Sequence, residues 1–279
     1  MERRYSVSRE LPLWSPRMTD EIKTDKTVSF GFEEVSPEEK VSRVKGVFQS
    51  VAGRYDLMND LMSAGVHRLW KHDTIAKLNP QAGEHLLDVA GGTGDLAKAF
   101  IDRADRAGRR RRRDSQAQAT VCDINEAMLN AGRARRDMAA YEGRLDWVCG
   151  DAQALPFEDN TFDALSIAFG IRNVADRAAA LSEFRRVLKP GGRLAVLEFS
   201  HMTAPAFQKL YDAYSFSVIP RLGEVIASDR ESYQYLVESI RRFPKQEAFR
   251  KELDTAGFAA VSVTNFSGGI AALHFGWAA

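Results

Sequence analysis

From residue 85 onward the hydrophobic pattern alternates between two textures. Short, almost wholly apolar runs (HLLDVA, ATVCDI, LDWVCG, FDALSIAF and RLAVLEF) are separated by segments of helical length. Runs of that kind are buried on both faces, so they predict parallel strands of one sheet with helices on either side. The C-terminal stretch FAAVSVTNFSGGIAALHFGWA differs: two strand-like runs flank Ser267-Gly268-Gly269, a hairpin signal that predicts an antiparallel strand at the end of the sheet. Ahead of the sheet, Ser36-Pro37-Glu38-Glu39 has the form of a helix start, with Ser36 as cap and Glu39 closing the box. Val41, Val44, Val47, Phe48 and Val51 then supply an apolar face ending near Gly53.

Residues 54–70, RYDLMNDLMSAGVHRLW, combine two stripes. Met58, Met62, Val66 and Leu69 recur at helical spacing, while Tyr55, Asn59, Ser63 and His67 stand four apart beside them. Gly65 argues against a single rod and predicts a helix, an irregular segment and a second helix from about Val66 to Leu78. The expected organisation is a flexible segment over residues 1–35 and one domain over 36–279. Within that domain, 36–80 form a helical cap and 201–256 a helical insertion, rich in Tyr and Phe, as a candidate lid. Glu2 and Glu10 argue against reading the arginine-rich start as a transit sequence.

A chain of 279 residues with 44% apolar content suits one α/β domain with elaborations. A net charge of only +1 excludes a global pull toward nucleic acid or anionic lipid and leaves local patches alone. The Arg109 to Arg113 run is the main one; without interleaved aromatics it reads as a solvated loop insertion rather than an RNA contact. Cys122 and Cys149 lie in apolar runs and match no disulfide or C-x-x-C pattern, so both are expected as reduced core thiols of a cytoplasmic protein. No apolar run reaches membrane-span length, and no clustered ligand set calls for a metal.

The chemistry concentrates at the ends of the strand candidates. LLDVAGGTGDLA puts glycines between a strand and a helix, where the backbone turns tightly and helix N–H groups are unpaired. Gly92, Thr93 and Gly94 fall in this loop, and Asp88 precedes it, placed to hold the loop or to meet the amino-acid end of a cofactor. Asp123 ends the second strand, where a carboxylate suits the two hydroxyls of an adenosine ribose. Asp151-Ala152 ends the third, suited to the amine and flat face of adenine. Either aspartate alone serves equally well as a helix cap; both beside a glycine loop define a nucleoside-cofactor site. Because Gly92 to Ala97 also satisfies the dinucleotide fingerprint, an NAD-dependent oxidoreductase is the alternative, though no Tyr-x-x-x-Lys accompanies it.

The chain resembles the S-adenosylmethionine-dependent methyltransferases, and among them the ubiquinone/menaquinone biosynthesis C-methyltransferase family. The resemblance lies in the glycine motif, YDLMNDLMSAGVHRLW, FGIRNVAD, RVLKPGGRLAVLEFS and NFSGGIAALH, and runs from about Lys40 to the C-terminus. It implies a Rossmann-like, seven-stranded, mostly parallel sheet, S-adenosyl-L-methionine as cofactor at Thr93, Asp123, Asp151 and Ala152, and a polyprenyl quinol as acceptor. Ala90 stands where many methyltransferases have the first loop glycine, tolerable if its backbone is ordinary, and Ala168 where the family often has a serine. Ring-carbon methylation needs groups that orient a hydroquinol and take up its protons. Tyr55, Asp56, Asn59 and His67 are of the right types, with His67 or Asp56 as base and Arg172 stabilising a phenolate or polarising a water. Set against this, His67 serves as a structural histidine, Asp56 as a cap, and Arg172 as a partner of Asp56 or Asp176. The tail of the acceptor implies peripheral contact with the inner membrane surface, with residues 207–219 as a route. A homo-oligomer or biosynthetic complex stays open.

Overall fold

The structure, a computed structural model, describes residues 27–51, 60, 63, 65–111, 115–203 and 230–279. A two-stranded hairpin, β1 (Val28–Phe30) and β2 (Glu33–Val35), occupies part of the segment expected to be flexible. Helix α1 (Pro37–Val51) follows, with the Ser36 hydroxyl accepting the Glu39 N–H at 3.1 Å as the cap pattern requires. Helix α2 (His67–Leu78) starts after Gly65, whose φ of 80° breaks any rod at the expected place.

Alternation of strands and helices then gives β3 (His85–Val89), α3 (Asp95–Arg111), β4 (Gln118–Asp123), α4 (Glu126–Arg133), β5 (Leu145–Cys149), β6 (Phe162–Ala168), α5 (Arg177–Val187) and β7 (Leu188–Phe199). The chain closes with α6 (Arg230–Arg242), α7 (Gln246–Thr255), β8 (Phe258–Phe266) and β9 (Ala271–Ala278). The seven-stranded sheet has the order β5-β4-β3-β6-β7-β9-β8. Every pairing from β5 to β7 is parallel, whereas β9 runs antiparallel to both β7 and β8. The reversed strand is therefore inserted next to β7, and the hairpin puts its partner β8 at the edge, not β9 as a terminal strand.

Side chains along each strand divide by face. Leu86, Val121, Ala164, Ala195 and Leu197 pack with Phe100, Ile101 and Tyr233 beneath α2, α3 and α6. Leu87, Cys122, Leu165, Leu194 and Val196 pack with Leu181, Phe184, Phe249 and Leu253 beneath α5 and α7. This period of two explains why the runs read as continuously apolar: both faces are covered. No described helix is long and apolar enough to cross a membrane.

Two expectations change. Arg109, Arg110 and Arg111 form the last turn of α3 rather than a loop, their charges opposing the negative end of the helix. Cys122 is buried, its thiol pushed up to about 12 chiefly by desolvation, but Cys149 at the end of β5 is exposed. Residues 204–229, including the aromatic stretch 207–219, lie outside the described residues.

Candidate active site

The loops leaving β3, β4, β5 and β6 meet at the carboxyl ends of the parallel strands, where an open α/β sheet presents a crevice. The first of them turns sharply. Ala90 has φ 49°, so its backbone is left-handed and the ordinary conformation that would make an alanine tolerable there is not met, at a cost of about 1 kcal/mol for a residue with a Cβ. Gly91 sits so close to the strands that a Cβ would lie 2.7 Å from Asp88 Oδ2 and 2.9 Å from Val121 Cγ1. The loop then reaches α3 through Gly92 and Gly94, both at positive φ.

Asp123 stitches this loop to β4: its Oδ2 accepts the Gly92 N–H at 3.0 Å and its Oδ1 the Asn125 N–H at 2.8 Å. Burial pushes the carboxyl up, and those two N–H groups oppose the shift. Asp151 accepts the Gln153 N–H at 2.9 Å and the Gln153 side-chain amide at 3.1 Å, with Ala152 beside it. Gly92, Thr93, Asp123, Asp151 and Ala152 all line one cleft, joined by Ala168 and Phe169 from β6 and its loop. Helix α1 closes it from above with Val41, Val44 and Lys45. Lys40, on the same helix, donates to the Val174 carbonyl at 3.1 Å, and desolvation lowers its pKa to about 8.

Asp88 is not in this wall. It lies fully buried under the loop, with the Ser166 hydroxyl donating to Oδ1 at 2.6 Å. Desolvation raises its pKa to about 7, against pulls downward from Ser166 and Lys71. The folded state thus keeps a proton that the unfolded chain releases near 3.8, so this group's contribution to stability is complete at low pH and is lost as pH rises toward 7. Asp88→Asn is expected to flatten the fall in melting temperature between about pH 4 and pH 7. Parallel wild-type and variant curves across that range would show that Asp88 does not hold the proton.

Arg172 follows β6 in a 3-10 turn, Ile171–Asn173. Its Nη1 donates to Glu198 Oε1 at 2.7 Å and to the Phe169 carbonyl at 2.6 Å, with both charged side chains only 1% exposed. Its partner among the described residues is therefore Glu198 and not Asp176, which caps α5 by accepting the Ala179 N–H at 3.0 Å; Asp56 lies outside the described residues. Phe169 itself is buried at φ 58°, a left-handed conformation that a bulky residue keeps only when its surroundings enforce it. Arg172 faces this turn from behind, while Phe169 and Asn173 line the cleft.

His67 begins α2, buried, with Nε2 2.9 Å from Asp60 Oδ1 and its backbone N–H donating to Ser63 Oγ at 3.2 Å. Desolvation and nearby Lys71 lower its pKa, more than Asp60 raises it. It lines a second cavity, between α2 and α3, that shares Lys71, Asp95 and Leu96 with the cofactor cleft. Tyr55, Asp56 and Asn59 lie outside the described residues. Three contributors escaped the sequence reading. Asp60 stands two turns before His67, Gly91 hid among better-placed glycines, and Glu198 is an acid inside an otherwise apolar strand run, itself a sign of a buried cation.

The sequence model described as the ubiE/COQ5 methyltransferase family matches residues 20–278. A "Ubiquinone/menaquinone biosynthesis C-methyltransferase UbiE" of Roseobacter denitrificans is 56% identical over 260 residues, covering 93% of this chain and 99% of that protein. The proteins of the same description from Paracoccus denitrificans and Caulobacter vibrioides are 56% and 54% identical, each covering 90% of this chain and 97% and 98% of their own. Among solved structures, a SAM-dependent methyltransferase from Aquifex aeolicus superposes with TM-score 0.53 at 15% identity, over 75% of this chain and 89% of its own. The [4+2]-cyclase SpnF superposes with TM-score 0.57 at 21% identity, over 81% of this chain and 75% of its own. A shared backbone with a cyclase shows that these superpositions speak for the fold alone.

Proposed function

The chain belongs to the ubiE/COQ5 methyltransferase family, and from that membership we infer that it methylates the ring carbon of a polyprenyl benzoquinol or a demethylmenaquinol in ubiquinone and menaquinone biosynthesis. The observation that carries the reading is the convergence of the glycine loop, Asp123 and Asp151-Ala152 on one cleft. S-Adenosyl-L-methionine supplies an electrophilic methyl on a sulfonium. The residues present suit it: each Asp123 oxygen carries one backbone N–H, which leaves acceptor capacity for the two ribose hydroxyls. Gly92 and Thr93 bring the backbone of the glycine loop against the cofactor, while the Gly94 N–H is spent inside the loop on the Gly91 carbonyl at 2.9 Å, and Ala152 leaves room for a flat base beside Asp151. The relatives being methyltransferases sets the NAD-dependent alternative aside.

Tyr55, Asp56 and Asn59 orient the hydroxyls of the acceptor. His67, with its raised share of neutral imidazole and its Asp60 partner, takes a proton from the acceptor. Arg172 acts one layer back, as a positioning residue: it fixes the Phe169 carbonyl and so the floor against which the acceptor and methyl are aligned. The tail of the acceptor places the enzyme at the surface of the inner membrane.

Purified protein given methyl-labelled cofactor with short-chain benzoquinol and naphthoquinol is expected to yield ring-methylated product from at least one. Stabilisation by NADH but not by S-adenosylhomocysteine in a thermal shift, with no labelled product, would overturn the assignment.

A further inference from the structure

The cavity between α2 and α3, about 410 Å³, has a charge that methyl transfer does not explain. Among the described residues that line it, five are cations, Arg68, Lys71, Arg103, Arg106 and Arg135, and one, Asp95, is a carboxylate, with His67 and His72 beside them. Asp95 answers two of them, Lys71 at 3.2 Å and Arg135 at 2.5 Å, and Arg68 pairs with Asp60. Arg103 and Arg106 stand one turn apart on α3 with no carboxylate partner among the described residues. The acids adjoining them in sequence are engaged elsewhere: Asp102 accepts from Tyr141 at 2.6 Å and Lys98 at 3.3 Å, and Asp105 holds Arg144 at 3.0 Å. Two guanidinium groups thus face a concave, positively charged space with no hydrogen bond to another described side chain.

We propose that this cavity binds a phosphate group, and specifically the phosphate of an anionic lipid headgroup. Guanidinium forks from one helix and cations from another suit a tetrahedral dianion or phosphodiester, whose oxygens accept from several directions at once. The lipid source follows from the neighbours. Leu69 on α2 is 64% exposed beside exposed Arg68, and Arg109 and Arg110 extend the α3 cations to the helix end. An apolar side chain amid basic ones is the pattern that enters a bilayer interface. The lipid half of this proposal rests on the polyprenyl acceptor; the phosphate site does not. Sharing Lys71 and Asp95 with the cofactor cleft, the cavity would set that cleft at headgroup depth.

The test compares wild type with Arg103→Glu/Arg106→Glu and Arg103→Lys/Arg106→Lys in co-sedimentation with phosphatidylcholine vesicles, with and without phosphatidylglycerol. Wild type should prefer the anionic vesicles, the Glu pair should lose at least about tenfold in affinity, and the Lys pair should keep most of it. Calorimetric affinity for S-adenosylhomocysteine and the melting temperature should be unchanged in both variants, which separates this result from any failure of the methyltransferase reading. A thermal shift with inorganic phosphate that the Glu pair loses, without vesicle binding, overturns the lipid assignment and leaves a soluble phosphate ligand. Equal vesicle binding by the Glu pair, or no response of wild type to phosphate or vesicles, overturns the site.

Discussion

Arg172→Ala is expected to cost about 3–5 kcal/mol of stability, read as a lower urea midpoint with an unchanged slope. The loss comes from what the substitution leaves behind. Glu198 is 1% exposed, and its carboxylate accepts from Arg172 Nη1, the Arg172 backbone N–H at 3.3 Å and the Phe199 N–H at 2.8 Å. Burial already pushes its pKa up against the pull of Arg172, so without the guanidinium it must take up a proton or stay charged in an apolar layer. The Phe169 carbonyl loses its donor in the same step, just where the backbone is held left-handed.

A collapse of that size would hide any role in chemistry, so the informative protein is the compensated one. Arg172→Met with Glu198→Leu removes both charges and should recover most of the stability, since apolar replacement of a buried pair is often near neutral. If Arg172 positions the Phe169 turn, kcat on a short-chain quinol stays low, about tenfold or more, while KM for the cofactor and the pH profile of kcat are retained. Full recovery of kcat together with stability would leave Arg172 as a scaffold residue only. A changed pH profile would instead point to direct proton handling by the guanidinium or its water.

Strands, their parallel run through β7 and the meeting of Asp123 and Asp151 beside the glycine loop were legible because each is written locally. Apolar runs mark double-sided burial, and a strand-end Asp beside a glycine loop marks the crevice. What was not legible is non-local. The partner of Arg172 is 26 residues away on the neighbouring strand, and nothing in FGIRNVAD chooses Glu198 over Asp176. Tolerance of Ala90 turned on its φ, of which composition says nothing; the structure shows that its Cβ lies 2.6 Å from where a Cβ on Gly170 would be, so the two positions are coupled. Likewise nothing in LLDVA chooses between Asp88 holding the loop and meeting the cofactor until Ser166, from β6, is seen to engage it in the core. Arginines at 103 and 106 are unremarkable on a helix, and become a site only when α2 packs alongside.

Asp123→Asn is expected to weaken cofactor binding by about 100-fold or more, two charge-assisted hydrogen bonds to ribose hydroxyls being worth roughly 3 kcal/mol together. An asparagine keeps the shape but turns an N–H toward a backbone N–H, either that of Gly92 or that of Asn125, so the glycine loop also loses one of its two ties to β4. Asp123→Ala should lose similar affinity without that clash, which separates the lost acceptor from the disturbed loop. The wild-type protein carries a further signature in its pH dependence. Burial raises the Asp123 pKa, so the folded state binds its proton more tightly than the unfolded chain, and stability falls as pH rises through the folded value. Cofactor binding has the opposite sign, because only the ionised carboxylate accepts from both hydroxyls, so affinity climbs over the same interval. Calorimetric titration with S-adenosylhomocysteine as pH rises above the ordinary carboxylate range should show the rise in wild type and its loss in both variants. Affinity left intact by both substitutions would mean that the ribose is held elsewhere in the cleft.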